Sequence, residues 1–386
     1  MNDIKIILLL LLFVCNLFLP SYSLNAEEGR EDYKNWLSWN LQNYKNKAGS
    51  VARSAAKLGR SYKGGGVLDY KLKKAEMNKV RITVSQDGTG DFRTVGEALG
   101  SIPKPNSKRV ILVINPGVYS EKITIPKSLP FVTFLGNVND DPPTITGNAT
   151  ASVTGEDGKP LGTLKSATVA VDANYFVAIN IKFENTATHE IGSVQGQGVA
   201  LRISGTKAAF HNCSFYGDQD TLYDHKGLHY FNNCYIQGSV DFIFGYGRSF
   251  YEKCYLKSIA KKVASLTAQK GLKSSMESGF SFKDCIVTGS GQIYLGRAWG
   301  DYSRVVFSYT FMDNIVLPQG WNDWGSLKRH LTVYYGEYKC SGPGANLTRR
   351  VQWAHNLTDE EAQPFIGTHY VEADSWLLTP YSYSLN

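Results

Sequence analysis

From Val80 onward, apolar residues come in short runs of β-branched and aromatic side chains, such as Arg109 to Ile114 and Phe176 to Phe183, broken by Gly, Asn and Asp. Runs this short, bounded by turn-forming residues, read as strands rather than helices. A repeat is superimposed on them. Phe210-His211-Asn212-Cys213-Ser214-Phe215, Phe231-Asn232-Asn233-Cys234-Tyr235-Ile236, Tyr251-Glu252-Lys253-Cys254-Tyr255-Leu256 and Phe282-Lys283-Asp284-Cys285-Ile286-Val287 share one order: an aromatic, two polar residues, Cys, then a strand. The cysteines are separated by 21, 20 and 31 residues. Such periods in strand-and-turn sequence, with no helical stretch between, predict an all-β solenoid, a single-domain parallel β-helix in which each coil sets its Cys above the last. A β-sandwich with accidental similarity is the competing reading.

The start of the chain is different. Ile6 to Leu19 is apolar, with Lys5 before it and the small residues Ser21 and Ser23 after it, the layout of a signal peptide over residues 1–23. The run falls short of the roughly 20 residues a bilayer requires, and no later segment is apolar enough to span. Residues 24–79 form a basic segment and linker: Trp36 and Trp39 suggest a short helix, and Gly64-Gly65-Gly66 sits among scattered Lys and Arg. The triple Gly lacks both a following Lys-Ser/Thr and a preceding strand, so it reads as linker and not as a phosphate loop. Of six Cys, the leader removes Cys15, and an odd number remain for an oxidising compartment: Cys213, Cys234, Cys254, Cys285 and Cys340. Sequons at Asn148, Asn346 and Asn356 fit secretion; Asn212 forms another, in a strand context ill suited to a glycan.

Composition narrows the class. With 19% charged residues, 12% aromatics and 37 Gly in 386 residues, the chain is neither a coiled coil, nor a collagen, nor disordered. A net charge of +7 suits an anionic partner, although solvation alone accounts for it as well.

The repeat also carries chemistry. Asp220 follows Cys213 by seven residues and Asp241 follows Cys234 by seven, so stacked coils bring the two carboxylates to equivalent positions. Adjacent strands lie about 4.8 Å apart. Two acids that close resist joint ionisation, which provides one charged and one neutral carboxyl for nucleophilic or acid-base work. An Asp ladder that only stabilises a turn has the same spacing.

Around these acids stand Gln197-Gly198-Val199-Ala200-Leu201, Gly217-Asp218-Gln219-Asp220-Thr221-Leu222-Tyr223, Asp241-Phe242-Ile243-Phe244-Gly245 and Leu295-Gly296-Arg297-Ala298-Trp299. With Gly117-Val118-Tyr119-Ser120-Glu121 before them, and Gly320-Trp321-Asn322-Asp323-Trp324 and Tyr335-Gly336-Glu337-Tyr338 after, they resemble, in order, the signature segments of plant pectin methylesterases from about Val80 to Leu378. The resemblance implies a right-handed, pectin lyase-like β-helix. It assigns Asp241 as nucleophile, Asp220 as general acid and base, Gln197 and Gln219 as oxyanion donors, and Arg297 as the group that orients Asp241. It places Arg297, Trp299, Trp321, Tyr223 and Phe244 against the sugar chain and pairs Cys234 with Cys254 in a disulfide, although stacked free thiols give the same sequence. It implies no metal and no cofactor, no nucleic-acid partner, methylated homogalacturonan and proteinaceous pectinesterase inhibitors as partners, and a secreted, cell-wall monomer. Each role has a plainer competitor: an interior amide ladder for the two Gln, a buried counter-charge for Arg297, core packing for the aromatics. Glu121, far in sequence from the acids, reads as structural.

The chain also departs from the family pattern. Ala298 stands where Pro is usual, Tyr246-Gly247 where Asn-Ala is usual, Gly198 where Ala is usual, Gly196 where His often precedes the Gln, and Leu164 where an aromatic is common. These changes are expected to loosen the loop holding Arg297 or to alter a subsite. The four-helix inhibitor-like pro-region of many relatives has no counterpart in residues 24–80. A pectate lyase or polygalacturonase would need calcium-binding acids or a hydrolytic Asp cluster, which these segments do not supply; a noncatalytic pectin binder would keep the groove without the chemistry.

Overall fold

The computed structural model describes residues 68–188 and 196–384. Among these residues the strands form an 11-stranded and a 14-stranded sheet, and neighbours within each sheet come from successive turns of the chain. The pairing is parallel throughout the repeat region. This is a parallel β-helix, as the periodicity predicts. The long strands Tyr255–Gln269 and Ile286–Arg297 bridge two faces of the larger sheet. Tyr255–Gln269 pairs with Tyr235–Gly238 near its start and with Ile243–Gly245 near its end.

The repeated residues explain the coil. Phe210, Phe231, Tyr251 and Phe282 are register partners on consecutive coils. Their rings stack at centroid separations of 4.7, 4.5 and 4.5 Å, close to the natural strand spacing. All are fully buried, and each ring contributes roughly 1.5–3 kcal/mol by leaving water. The residue before each Cys, Asn212, Asn233, Lys253 or Asp284, takes a left-handed backbone with φ of 51°, 53°, 56° and 54°. Asn and Asp tolerate that conformation best, which is why the motif carries polar residues there. Asn212 Nδ2 donates to Asn180 Oδ1 at 3.0 Å and Asn233 Nδ2 to Asn212 Oδ1 at 3.1 Å, so the turns are laced by an amide ladder.

The following Cys points inward, and here the structure corrects the expected disulfide. Cys234 and Cys254, like Cys213, Cys285 and Cys340, are free thiols. Cys234 Sγ donates toward the carbonyls of Phe210 and Asn232 at 3.5 Å each, and Cys254 Sγ toward those of Phe231 at 3.6 Å and Glu252 at 3.5 Å. In-register residues of parallel strands project side by side a strand spacing apart, wider than the usual Cβ separation of a disulfide. The thiols act as small core groups whose polar hydrogens are taken by backbone oxygens.

The folded body includes the helix Tyr70–Glu76, upstream of the boundary placed at residue 80. Leu72 and Ala75 are buried, and Glu76 Oε1 accepts from the buried Arg109 guanidinium at 2.7 Å. The expected signal peptide over residues 1–23 and the rest of the expected basic segment, to residue 67, lie outside the described residues. Glu121 is structural, as expected: its carboxylate accepts from Val95 N at 2.9 Å and Gly96 N at 2.8 Å, in the first turn of the helix Val95–Gly100.

Candidate active site

On the face carrying Leu222–Asp224 and Ile243–Gly245, alternate residues separate core from surface. Leu222 and Ile243 are register partners in the interior, whereas Tyr223 and Phe244 point outward and stack at 4.3 Å. Asp220 and Asp241 open these strands at equivalent positions, with φ of 65° and 50°. Their amides donate to Val240 O at 3.0 Å and Ser265 O at 2.7 Å, which fixes each acid in its coil. The spacing argument therefore holds: the carboxyls are neighbours on the outer face, only 8% and 5% exposed.

Arg297 supplies the counter-charge from the end of Ile286–Arg297. Its Nε donates to Asp241 Oδ1 at 2.8 Å and Oδ2 at 3.1 Å, and its Nη2 also binds Oδ2. Among the described residues no such pair serves Asp220, whose carboxyl is held well above the ordinary carboxylate range by burial and by the charge of Asp241. Burial raises Asp241 as well, but the hydrogen bonds and charge of Arg297 oppose it. The two acids thus differ in surroundings: burial disfavours charge on both, and Asp241 has a bidentate guanidinium to offset it, whereas Asp220 faces the charge of Asp241.

Gln197 and Gln219 lie beside them on adjacent coils, linked where Gly198 N donates to Gln219 O at 3.1 Å. Gln197 Oε1 is buried without a partner among the described residues, so this amide is not a rung of a satisfied interior ladder. Tyr223, Phe244, Val199 and Ala268 form an apolar floor against which Trp299 leans. Trp321 does not join them. It is 1% exposed, stacks on Tyr335 at 4.4 Å and donates through Nε1 to Glu337 Oε1 at 3.1 Å. It belongs to the core, because it pairs with Gly296 while the next residue, Asn322, pairs with Arg297. The aromatic at the site from this segment is Trp324, 40% exposed, with the Arg297 guanidinium 3.8 Å from its ring centre. Sequence reasoning missed it; the Trp-x-x-Trp spacing was the available signal. Lys270, also missed, lies with Nζ 4.0 Å from the centre of the Trp299 ring.

The departures from the family pattern are accommodated. Ala298 N donates to Asn322 O at 3.0 Å, a bond Pro cannot make, and its carbonyl accepts from Arg329 Nη1 at 2.7 Å. The loop after Arg297 is tied down rather than loosened. A methyl at Gly198 would sit 2.9 Å from Asn185 Oδ1, and one at Gly247 would strike Asp224 Oδ1 at 2.1 Å, so both glycines match their buried neighbours. Leu164 is exposed on the short helix Gly162–Ser166.

On the outer face of a parallel β-helix, then, a pair of buried acids, one of them bound by arginine, lies over an aromatic floor. The pectinesterase family model matches residues 81–374, and the chain belongs to that family. It is 46% identical over 297 residues to "Pectinesterase QRT1" of Arabidopsis thaliana, covering 77% of this chain and 78% of the relative. The solved pectin methylesterase from carrot superposes with a TM-score of 0.70 at 32% identity, over 77% of this chain and 94% of that one. A pectin methylesterase solved in complex with a hexasaccharide matches with a TM-score of 0.65 at 26% identity, over 77% and 98%. The enzyme is a plant-type pectin methylesterase.

Proposed function

We propose that Asp241 is the nucleophile of this esterase. Its carboxylate adds to the methyl ester carbonyl of a galacturonate unit, the amides of Gln197 and Gln219 donate to the resulting oxyanion, and Asp220 protonates departing methanol. Asp220, now ionised, then takes a proton from the water that opens the acyl-enzyme, which regenerates the starting charges. One observation carries the reading: two buried neighbouring carboxyls of which only Asp241 holds a guanidinium through both oxygens. Tyr223, Phe244, Trp299 and Trp324 take the sugar rings, in keeping with the hexasaccharide complex of the related methylesterase.

The protein acts outside the cell as a monomer on wall pectin, with proteinaceous inhibitors as its expected protein partners. The leader-like residues 1–23 support secretion, and so do the exposed sequon asparagines Asn148, Asn346 and Asn356. Among the described residues, no helix is long and apolar enough to cross a membrane. The test is methanol release from highly methylated pectin. Wild type is expected to release it, and Asp241→Asn is expected to lose on the order of 10³-fold or more in kcat. Equal rates for the two proteins would remove Asp241 from its role; unsaturated uronides instead of methanol would replace the esterase by a lyase.

A further inference from the structure

The strand Tyr255–Gln269 runs from a second face of the solenoid to the cleft, and its outer end is not used by the chemistry above. On this second face alternate residues again divide core from surface. Phe215, Ile236, Leu256 and Val287 are successive register partners that point inward, all fully buried. The residues beside them point outward. Tyr216 and Tyr235 stack at 5.0 Å, and Tyr235 and Tyr255 at 5.7 Å. The row continues coil by coil through Ile286, the register partner of Tyr255, to Phe311, the partner of Ile286. Tyr255, Ile286 and Phe311 are 39%, 41% and 42% exposed, so this end of the row is open to solvent. A contiguous apolar row on an outer face marks an interaction surface.

The charge of the same coil indicates its partner. From Lys253 to Met276 the chain carries Lys253, Lys257, Lys261, Lys262, Lys270 and Lys273 and no Asp or Glu, whereas the whole chain has a net charge of only +7. Lys257 stands on the face of the row, with Gln237 and Thr288 as its register partners, so no acid lies directly opposite it. Lys261 and Lys262 are exposed where the strand bulges between Ile259 and Val263, and the strand alongside exposes only Gly289, Ser290 and Gln292 there. Acids on the neighbouring strands and turns are already engaged: Glu184 with Lys182 at 2.9 Å, Asp284 with Lys283 at 2.7 Å, and Asp313 with Thr288 Oγ1 at 2.9 Å.

We propose that Lys257, Lys261 and Lys262, with Tyr235 and Tyr255, form a second, noncatalytic binding site for a polyanionic polysaccharide, de-esterified homogalacturonan, on a face away from the cleft. A uronan chain carries a carboxylate on each sugar and apolar C–H faces between them. A strip of ammonium groups beside an aromatic ledge matches both features. A second copy of this chain would set the lysines against one another, and the basic segment before residue 68 repeats their sign. The far end of the same strand contributes Ala268 to the cleft floor, so polysaccharide held at the second face leaves the acids free. The identity of the polysaccharide rests on the esterase reading; the site itself does not.

The experiment measures the affinity of the full chain for fully de-esterified polygalacturonate at low and raised ionic strength. The triple variant Lys257→Met, Lys261→Met, Lys262→Met is expected to bind about tenfold more weakly at low salt and to lose much of the salt dependence. Its kcat and KM on a short methyl-esterified oligogalacturonide, which fills the cleft alone, are expected to stay at wild-type values. The double variant Tyr235→Ala, Tyr255→Ala is expected to weaken polygalacturonate binding about threefold and to leave binding of polyglutamate, a polyanion without sugar rings, unchanged. Unchanged polygalacturonate affinity and salt dependence in the lysine variant would overturn the site. Equal losses for polyglutamate and polygalacturonate in the tyrosine variant would do the same, as would a change of oligomeric state with unaltered polysaccharide binding, which would make the face a contact between copies. Because polygalacturonate has no ester to hydrolyse, a protein that binds it through these lysines but releases no methanol from pectin would refute the esterase and leave the second site standing.

Discussion

Two polar ladders run up this solenoid, both at turns where the backbone is left-handed, and they are built in opposite ways. At Asn180, Asn212 and Asn233 each amide donates to the next, and the ladder satisfies itself. At Asp220 and Asp241 the same backbone geometry presents like charges, which cannot satisfy each other and must be managed by Arg297 and by a retained proton. A solenoid offers stacked polar positions at every turn. Chemistry resides where the stacked groups are of a kind that cannot pair among themselves.

That contrast is sharpest at Asp220. Replacing it with Asn turns the acid rung into a neutral one, and loss of the proton donor is expected to cut methanol release about 10²–10⁴-fold. The same variant should gain stability near neutral pH. A carboxyl whose pKa is raised in the folded state binds more protons folded than unfolded, so its penalty is absent below the ordinary carboxylate pKa and grows as pH rises through the folded value. Thermal unfolding at pH 7 and pH 4 checks this: a gain at pH 7 that vanishes at pH 4 is expected, and equal shifts at both would refute the raised value.

The two tryptophans of one segment separate core from cleft. Trp321→Ala is expected to cost about 3–5 kcal/mol in denaturant unfolding, as for other large buried side chains. Trp324→Ala is expected to leave unfolding within about 0.5 kcal/mol and to raise KM for pectin roughly tenfold. The reverse pattern would return Trp321 to the substrate. The mildest test falls on the self-satisfied ladder. Asn233→Ala removes one amide rung from a left-handed position and is expected to cost about 1–2 kcal/mol while kcat stays at the wild-type value. A fall in kcat without a fall in stability would show that the two ladders are not independent.

The solenoid and the acid pair were legible because both depend on period alone: the aromatic-x-x-Cys spacing sets the coil, and Asp220 and Asp241 inherit its register. Arg297 was reached through the resemblance, since nothing in its spacing ties it to Asp241. What failed depended on direction rather than position. A Trp in a two-residue strand faces in or out according to pleat, and Trp321 faces in. Cysteines on adjacent coils were close enough to suggest a bridge, yet parallel strands set their thiols side by side. The hydrogen bonds that join Asp172, Arg202, Ser204, His225 and Tyr246 cross four coils, and no local spacing announces them.

The separation of Asp241 from its guanidinium by 56 residues has a consequence for synthesis. A solenoid can grow coil by coil from its N-terminal end, each turn templating the next. The acid coil is therefore complete while its counter-ion is still being made, and its carboxylate stays in water until the coil ending in Arg297 docks. Charge burial, and with it the difference between the two acids, arrives as the last step of local assembly. A chain truncated between these residues would carry both acids and much of the floor, yet have no means of deciding which acid is which.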